Sequence, residues 1–253
     1  MKTKKERVGV VMIAAAMFAI AGTLHASKTD DRIESSARES YIFKTYLAGD
    51  DIKIQSKEGA VTLTGMVSEE SHKSLARETV AGLPGTKSVD NKLEVKGSLP
   101  TENSDLWLKD KVKLTLLFHR NVSATESQVS VQDGMVTLRG EAQNLAQKDL
   151  TTEYVKDIEG VKDVSNEMTV LKNSKTTYEK VSGNMDDASI TAQVKMTLLF
   201  HRSTSLHNTK VKTFNGMVTL HGKAKNAAEM ALVTKLVNDI NGVKSVRNRM
   251  TVE

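Results

Sequence analysis

The chain has no cysteine among its 253 residues. Disulfide cross-links and lipid attachment through a cysteine thiol are therefore excluded, and an oxidising compartment would be tolerated without being exploited. The short motifs of common catalytic sites are missing too: there is no glycine-rich phosphate loop, no His-Glu-x-x-His and no nucleophile elbow. Long apolar runs are scarce. The strongest, Val8 to Ala21, is about 14 residues long where a membrane-spanning helix needs roughly 20. It follows Lys2, Lys4, Lys5 and Arg7 and precedes small residues ending at Ala26, which is the layout of a secretory signal. Residues 1–26 are expected to be such a signal, cleaved after Ala26, with the remainder exported to the periplasm as a soluble protein. Without that segment the formal charge falls from +5 to +2, so the basic balance of the whole chain says little about partners.

What is present is a repeat. Gly59-Ala-Val-Thr-Leu-Thr-Gly65 recurs as Gly134-Met-Val-Thr-Leu-Arg-Gly140 and as Gly216-Met-Val-Thr-Leu-His-Gly222, at offsets of 75 and 82 residues. A further glycine follows 26 residues after the first (Gly85, Gly160, Gly242), and an asparagine 32 residues after it (Asn91, Asn166, Asn248). Upstream, Val112-Lys-Leu-Thr-Leu-Leu-Phe-His-Arg120 is nearly repeated as Val194-Lys-Met-Thr-Leu-Leu-Phe-His-Arg202. Constant spacing within each unit puts the seven extra residues in a connector. The expected organisation is a signal at 1–26, modules at 28–96, 105–172 and 186–253, and polar linkers at 97–104 and 173–185 that allow relative motion.

Each unit reads as helix, strand, strand, helix, strand. Val129 and Val131, then Val136 and Leu138, alternate with polar residues around Asp133-Gly134, the pattern of a tight hairpin. Leu150, Tyr154, Val155 and Ile158 share one helical face, as do Leu232, Leu236, Val237 and Ile240, and in the first copy Leu75, Thr79, Val80 and Leu83. A strand-helix-strand unit this short implies parallel pairing. The predicted fold class is α+β: three tandem αββαβ modules, each a three-stranded mixed sheet with two helices on one face. Gly59, Gly65, Gly85, Gly134, Gly140, Gly160, Gly216, Gly222 and Gly242 are assigned to turns and backbone.

The hairpin Asp133-Gly-Met-Val-Thr-Leu-Arg-Gly140 and the ending Ile158-Glu-Gly-Val-Lys-Asp-Val-Ser-Asn166 resemble the BON domain, and the similarity extends over nearly all of the exported chain in three copies. The resemblance implies an envelope protein of the kind induced by osmotic stress, without enzymatic activity, cofactor or small-molecule substrate, and with phospholipid surfaces as partners. Copy one departs most, with Pro84 where the others have Glu159 and Asn241, and with a polar first helix.

The candidate chemistry is non-catalytic. The carboxylate pairs Asp30-Asp31, Glu69-Glu70 and Asp186-Asp187 read as helix N-terminal charges, and His119 and His201 as basic ends of helices. His201, His207 and His221 lack the short spacing of a metal site, so no metal is expected. The first helices of copies two and three carry two apolar ridges: Val112 and Leu116 on one side, Leu114 and Phe118 on the other, with Met196 and Phe200 repeating the second. Two accounts fit that second ridge: packing on a sister module, or meeting lipid or a partner. Trp107 beside Lys111 has the composition of an interfacial anchor and equally of a buried staple. Formal charge is −1 from Lys28 to Lys96, −2 from Asn103 to Lys172 and +5 from Met185 to Glu253. Lys210, Lys212, Lys223, Lys225, Arg247 and Arg249 supply much of the excess. The expected lipid- or partner-binding set is these six with Trp107, Lys111, Leu114, Phe118, Met196 and Phe200, and the expected partner is anionic phospholipid, or envelope proteins through a chaperone-like surface. Export argues against nucleic acid.

Overall fold

The computed structural model describes residues 20–97, 104–122, 127–171, 185–204 and 209–253. Most of the expected signal, and most of both expected linkers, lie outside these residues. Module 1 comprises α1 (Ile20–Glu39), the short α2 (Tyr41–Thr45), β1 (Asp51–Lys57), β2 (Ala60–Val67), α3 (Glu70–Ala81) and β3 (Ser88–Val95). Module 2 has α4 (Asp105–Phe118), β4 (Gln128–Gln132), β5 (Met135–Arg139), β6 (Glu141–Ala142), α5 (Leu145–Lys156), β7 (Asp163–Asn166) and β8 (Thr169–Val170). Module 3 has α6 (Asp187–Phe200), β9 (Thr209–Phe214), β10 (Met217–Ala224), α7 (Ala227–Asn238) and β11 (Ser245–Val252). The middle strand of each three-stranded sheet pairs antiparallel with its hairpin partner and parallel with the closing strand. In module 2 a short parallel ladder, β6 with β8, forms a separate two-stranded sheet, so the α+β reading of three modules built on mixed sheets is what the structure shows.

Local chemistry fixes the hairpins. Asp133 and Gly134 have φ of 51° and 80°, Asn215 and Gly216 49° and 79°, the double positive φ of a turn whose twist matches the strands. One aspartate holds each turn: Asp30, Asp105 and Asp187, each 29 positions before the turn glycine, accept hydrogen bonds from the glycine N–H at 2.8–2.9 Å, a role beyond the helix N-terminal charge expected of Asp30 and Asp187. Asp30 lies inside α1 and not ahead of a helix, whereas Glu70 and Asp187 stand in the first turns of α3 and α6 as expected, and the Asp186 carboxylate caps α6 by accepting from the Ser189 N–H. At Gly65 a Cβ would stand 2.0 Å from the Asp51 carbonyl, so no side chain fits.

The modules are not independent beads. Ile190, Val194 and Leu198 from α6 close module 3's own core, and Leu108, Val112 and Leu116 from α4 close module 2's. The opposite sides of the same helices enter module 1: Leu114, Phe118, Ala188, Ala192, Met196 and Phe200 are buried in one cluster with Ile42, Leu63, Leu75 and Val80. Module 1's own first helix contributes Ile33 and Ala37 to the same cluster, while Glu39, at the position of Leu114 in module 2, is exposed. Lys195 pairs with Glu78 at 2.6 Å across the contact. The modules are thus packed on one another and not merely joined by their polar linkers.

One helical face also differs from its prediction. In α5 Val155 is buried, as is Ile158 just beyond the helix, both as expected, but Leu150 is exposed and Tyr154 half-buried, and Gln147 and Thr151 are buried in addition. The two polar side chains are satisfied locally, Gln147 accepting from the Gln143 N–H and Thr151 donating to the Gln147 carbonyl, which removes the cost of burying them.

Candidate functional site

Strand alternation sends Val211, Val218, Leu220 and Met250 into module 3's core and leaves the intervening residues outward. Register then sets them in rows across β9, β10 and β11: Lys212, Thr219 and Arg247 in one row, Lys210, His221 and Arg249 in the next, with Lys223 beside Thr251 beyond. The five bases are exposed, and the three strands contain no carboxylate. Among the described residues none of the five is in an ion pair. Lys225, also exposed, lies past the end of β10, where its backbone N–H donates to Glu229.

The matching faces of the sister modules differ. In module 1 the corresponding rows are Gln55, Thr62, Asp90 and Lys53, Thr64, Lys92, and Lys92 is tied to Asp90 at 3.0 Å. In module 2 one row is Ser130, Thr137 and Ser165, and Arg139 is neutralised by Glu167 at 2.8 Å. An unopposed positive face occurs in module 3 alone of the three.

Six of the predicted surface residues do not stand on any such face. Leu114, Phe118, Met196 and Phe200 are 0–5% exposed, so for the second ridge the sister-module account describes the structure. Lys111 is 4% exposed, with its Nζ 3.4 Å from the Trp107 ring centroid and 5.6 Å from that of Phe200, an arrangement in which the aromatic faces stabilise the desolvated cation. Trp107 is half-buried and lines a cleft with Asp133, Gly134, Gly160 and Lys162, all of module 2. None of the basic residues of module 3 lines the cleft beside Trp107.

The two histidines have a different role from the one predicted. Burial pushes the His119 imidazole down to about 4 and lowers that of His201 as well, so neither supplies positive charge to a helix end at neutral pH. His119 stacks on Tyr154 at 3.9 Å, and the Tyr154 hydroxyl donates to Asp239. The arginines that follow do act on helix ends, but on those of the other module. Arg120 donates from its guanidinium to the Ile240 and Val243 carbonyls at 2.8 and 2.7 Å, and Arg202 to those of Ile158 and Val161 at 3.1 and 2.9 Å. Backbone bonds complete the exchange: Arg120 N–H to Asp239 O and Asn241 N–H to Phe118 O, mirrored by Arg202 N–H to Asp157 O and Glu159 N–H to Phe200 O. Modules 2 and 3 thus meet through a reciprocal joint. The repeated nonapeptide was its sequence signal, and so was Pro84: a proline at the position of Glu159 and Asn241 has no N–H to give.

One residue that sequence reasoning passed over is Phe214, 72% exposed at the hairpin tip of module 3; its place next to Asn215-Gly216, in phase with Lys210 and Lys212, was the available signal. His207 lies outside the described residues. Among the described residues no group of three or more His, Cys, Asp or Glu could hold a metal ion, and no helix is long and apolar enough to cross a membrane.

Comparison with known proteins agrees with the repeat. The BON domain family matches residues 29–97, 104–172 and 186–253. The chain is 27% identical over 197 residues to Osmotically-inducible protein Y of Escherichia coli strain K12, covering 78% of this chain and 95% of that protein. It is 32% identical over 114 residues to the outer membrane lipoprotein DolP of Haemophilus influenzae, covering 45% of this chain and 56% of that protein. Among solved structures, CdsD, a structural protein of the type III secretion system of Chlamydia trachomatis, aligns over 91% of each chain at 16% identity with a TM-score of 0.24, too low to carry an argument. With three matches that together span most of its length, the chain belongs to the BON domain family and carries the domain in three tandem copies.

Proposed function

We propose that this protein is a non-enzymatic periplasmic envelope protein, associated with osmotic stress, that binds anionic phospholipid surfaces through the sheet face of module 3. Its relatives include a protein named for osmotic induction and an outer membrane lipoprotein, which supports the compartment and the setting. The observation that carries the binding reading is the face itself, five exposed bases in register with no carboxylate on their strands. Near an anionic bilayer each base contributes about 1 kcal/mol before screening. The alternative of a chaperone-like surface rested on the apolar ridges of α4 and α6, which are occupied by module 1.

The test is co-sedimentation of the full chain with phosphatidylglycerol-containing vesicles. Binding is expected to vanish on purely zwitterionic vesicles and to weaken in about 0.5 M salt, where the screening length is about 4 Å. Giving the first row its module 1 residues, Lys212→Gln with Arg247→Asp, removes three units of charge and is expected to weaken binding roughly a hundredfold at low salt. Equal binding to both vesicle types, or no effect of the double variant, would falsify the assignment.

A further inference from the structure

We propose that the β9–β10 hairpin tip of module 3 is a membrane-inserting wedge, with Phe214 and Met217 entering the acyl boundary while the bases behind them hold headgroup phosphates; this rests on the phospholipid reading above. Phe214 and Met217 are cross-strand partners on the outward face, 72% and 37% exposed, and Lys212 and Arg247 occupy the next row, roughly 7 Å behind. An apolar tip followed by cations is the layering of a bilayer surface. The fold does not need a large apolar pair there. The same two positions are Lys57 and Ala60 in module 1, Gln132 and Met135 in module 2, on hairpins with the same register. The aromatic occurs only on the hairpin whose sheet is uniformly basic.

The tip is also suited to leaving water. A hairpin end ordinarily presents unpaired backbone groups whose desolvation is unfavourable. Here the Asn215 and Gly216 N–H groups both donate to Asp187, at 2.7 and 2.8 Å, and the Gly216 carbonyl accepts from the Lys244 N–H at 2.8 Å. The turn is thereby held rigid from the inner side, so insertion orders little further chain.

Trp107 is the sole tryptophan, so Trp107→Phe combined with Phe214→Trp moves the fluorophore to the tip. On anionic vesicles carrying brominated acyl chains, this chain is expected to shift its emission to the blue and to be quenched. In the otherwise unaltered protein, Phe214→Ser is expected to reduce vesicle affinity about tenfold or more, since an interfacially buried ring is lost, with its unfolding midpoint unchanged. If the protein co-sediments but the Trp at 214 emits as in buffer and escapes quenching, the wedge is overturned and the basic face stands. If wild-type protein does not co-sediment at all, the phospholipid reading fails and the wedge fails with it.

Discussion

Modules 1 and 3 each have a sheet of the same register, position for position at an offset of 157 residues, yet they differ in both of the places where a module meets something else. Outward, module 3 carries Lys212 and Arg247 where module 1 carries Gln55 and Asp90. Inward, module 3 closes its core with its own helix alone, whereas the core of module 1 takes Ile33 and Ala37 from its own helix and is extended by Phe118 and Met196 from its neighbours. Inward strand positions hold the register while outward ones are free to diverge, since a substitution on a solvated strand face costs little folding energy. Module 1 is the recipient of the assembly and module 3 its exposed chemistry.

The strongest way to break this picture is to empty the space that module 1 borrows. Phe118 is fully buried and meets Tyr46 edge-on at 5.7 Å; Phe118→Ala is expected to cost about 3–5 kcal/mol in urea denaturation. A loss below about 1 kcal/mol would mean that module 1 folds without its neighbours. A smaller effect tests the joint by exchanging the residues that distinguish the two modules. Asn241→Pro deletes the N–H that serves the Phe118 carbonyl and is expected to destabilise by about 1–3 kcal/mol, while Pro84→Asn, which has no such partner, should change stability by less than about 1 kcal/mol. Equal effects of the two would remove the joint as the reason for the proline.

The smallest expected effect is a dependence on pH, and it differs in sign between the two junctions. At the joint, His119 and His201 face Tyr154, Asp157, Asp239, Arg120 and Arg202. The folded protein keeps His119 neutral down to about 4 while an unfolded chain takes up its proton from about 6.5, so this contribution is complete above pH 6.5 and is lost as pH falls toward 4. Between modules 1 and 2, burial and the neighbouring Glu69 raise the Asp110 carboxyl to about 7 from 3.8. Its proton is retained on folding, and that contribution is lost as pH rises from 3.8 to 7. His119→Phe should narrow the drop in Tm between about pH 7 and pH 5, and Asp110→Asn should raise Tm near pH 7, each by a few degrees. Scanning calorimetry that found the drop between about pH 7 and pH 5 unchanged in His119→Phe, or Tm near pH 7 lowered in Asp110→Asn, would contradict the assignment.

Much of this was legible in the chain because its signals are local. The turn residues Asp133-Gly134 and Asn215-Gly216 announce their hairpins, and alternation around Val211 or Val218 gives the sheet faces without any knowledge of tertiary contacts. The misreading of α5 came from Gln147 and Thr151, polar side chains that are buried because each finds a partner within one helical turn, a possibility that an apolar pattern does not register. The second ridge of α4 was visible as a ridge. Its occupant was not, since a solvent-facing lipid contact and a sister module require the same stripe.

Sequence alone determined the repeat, its register and which residues of each strand face outward, since all of these follow from spacing and from the period of the strand. Only the tertiary structure decided that Leu114, Phe118, Met196 and Phe200 are interior, that Arg120 and Arg202 serve each other's helix ends, and that the bases of module 3 remain unopposed. Those outcomes depend on which surfaces meet across long sequence separations, and burial, charge pairing and proton affinity are properties of that meeting and not of any segment by itself.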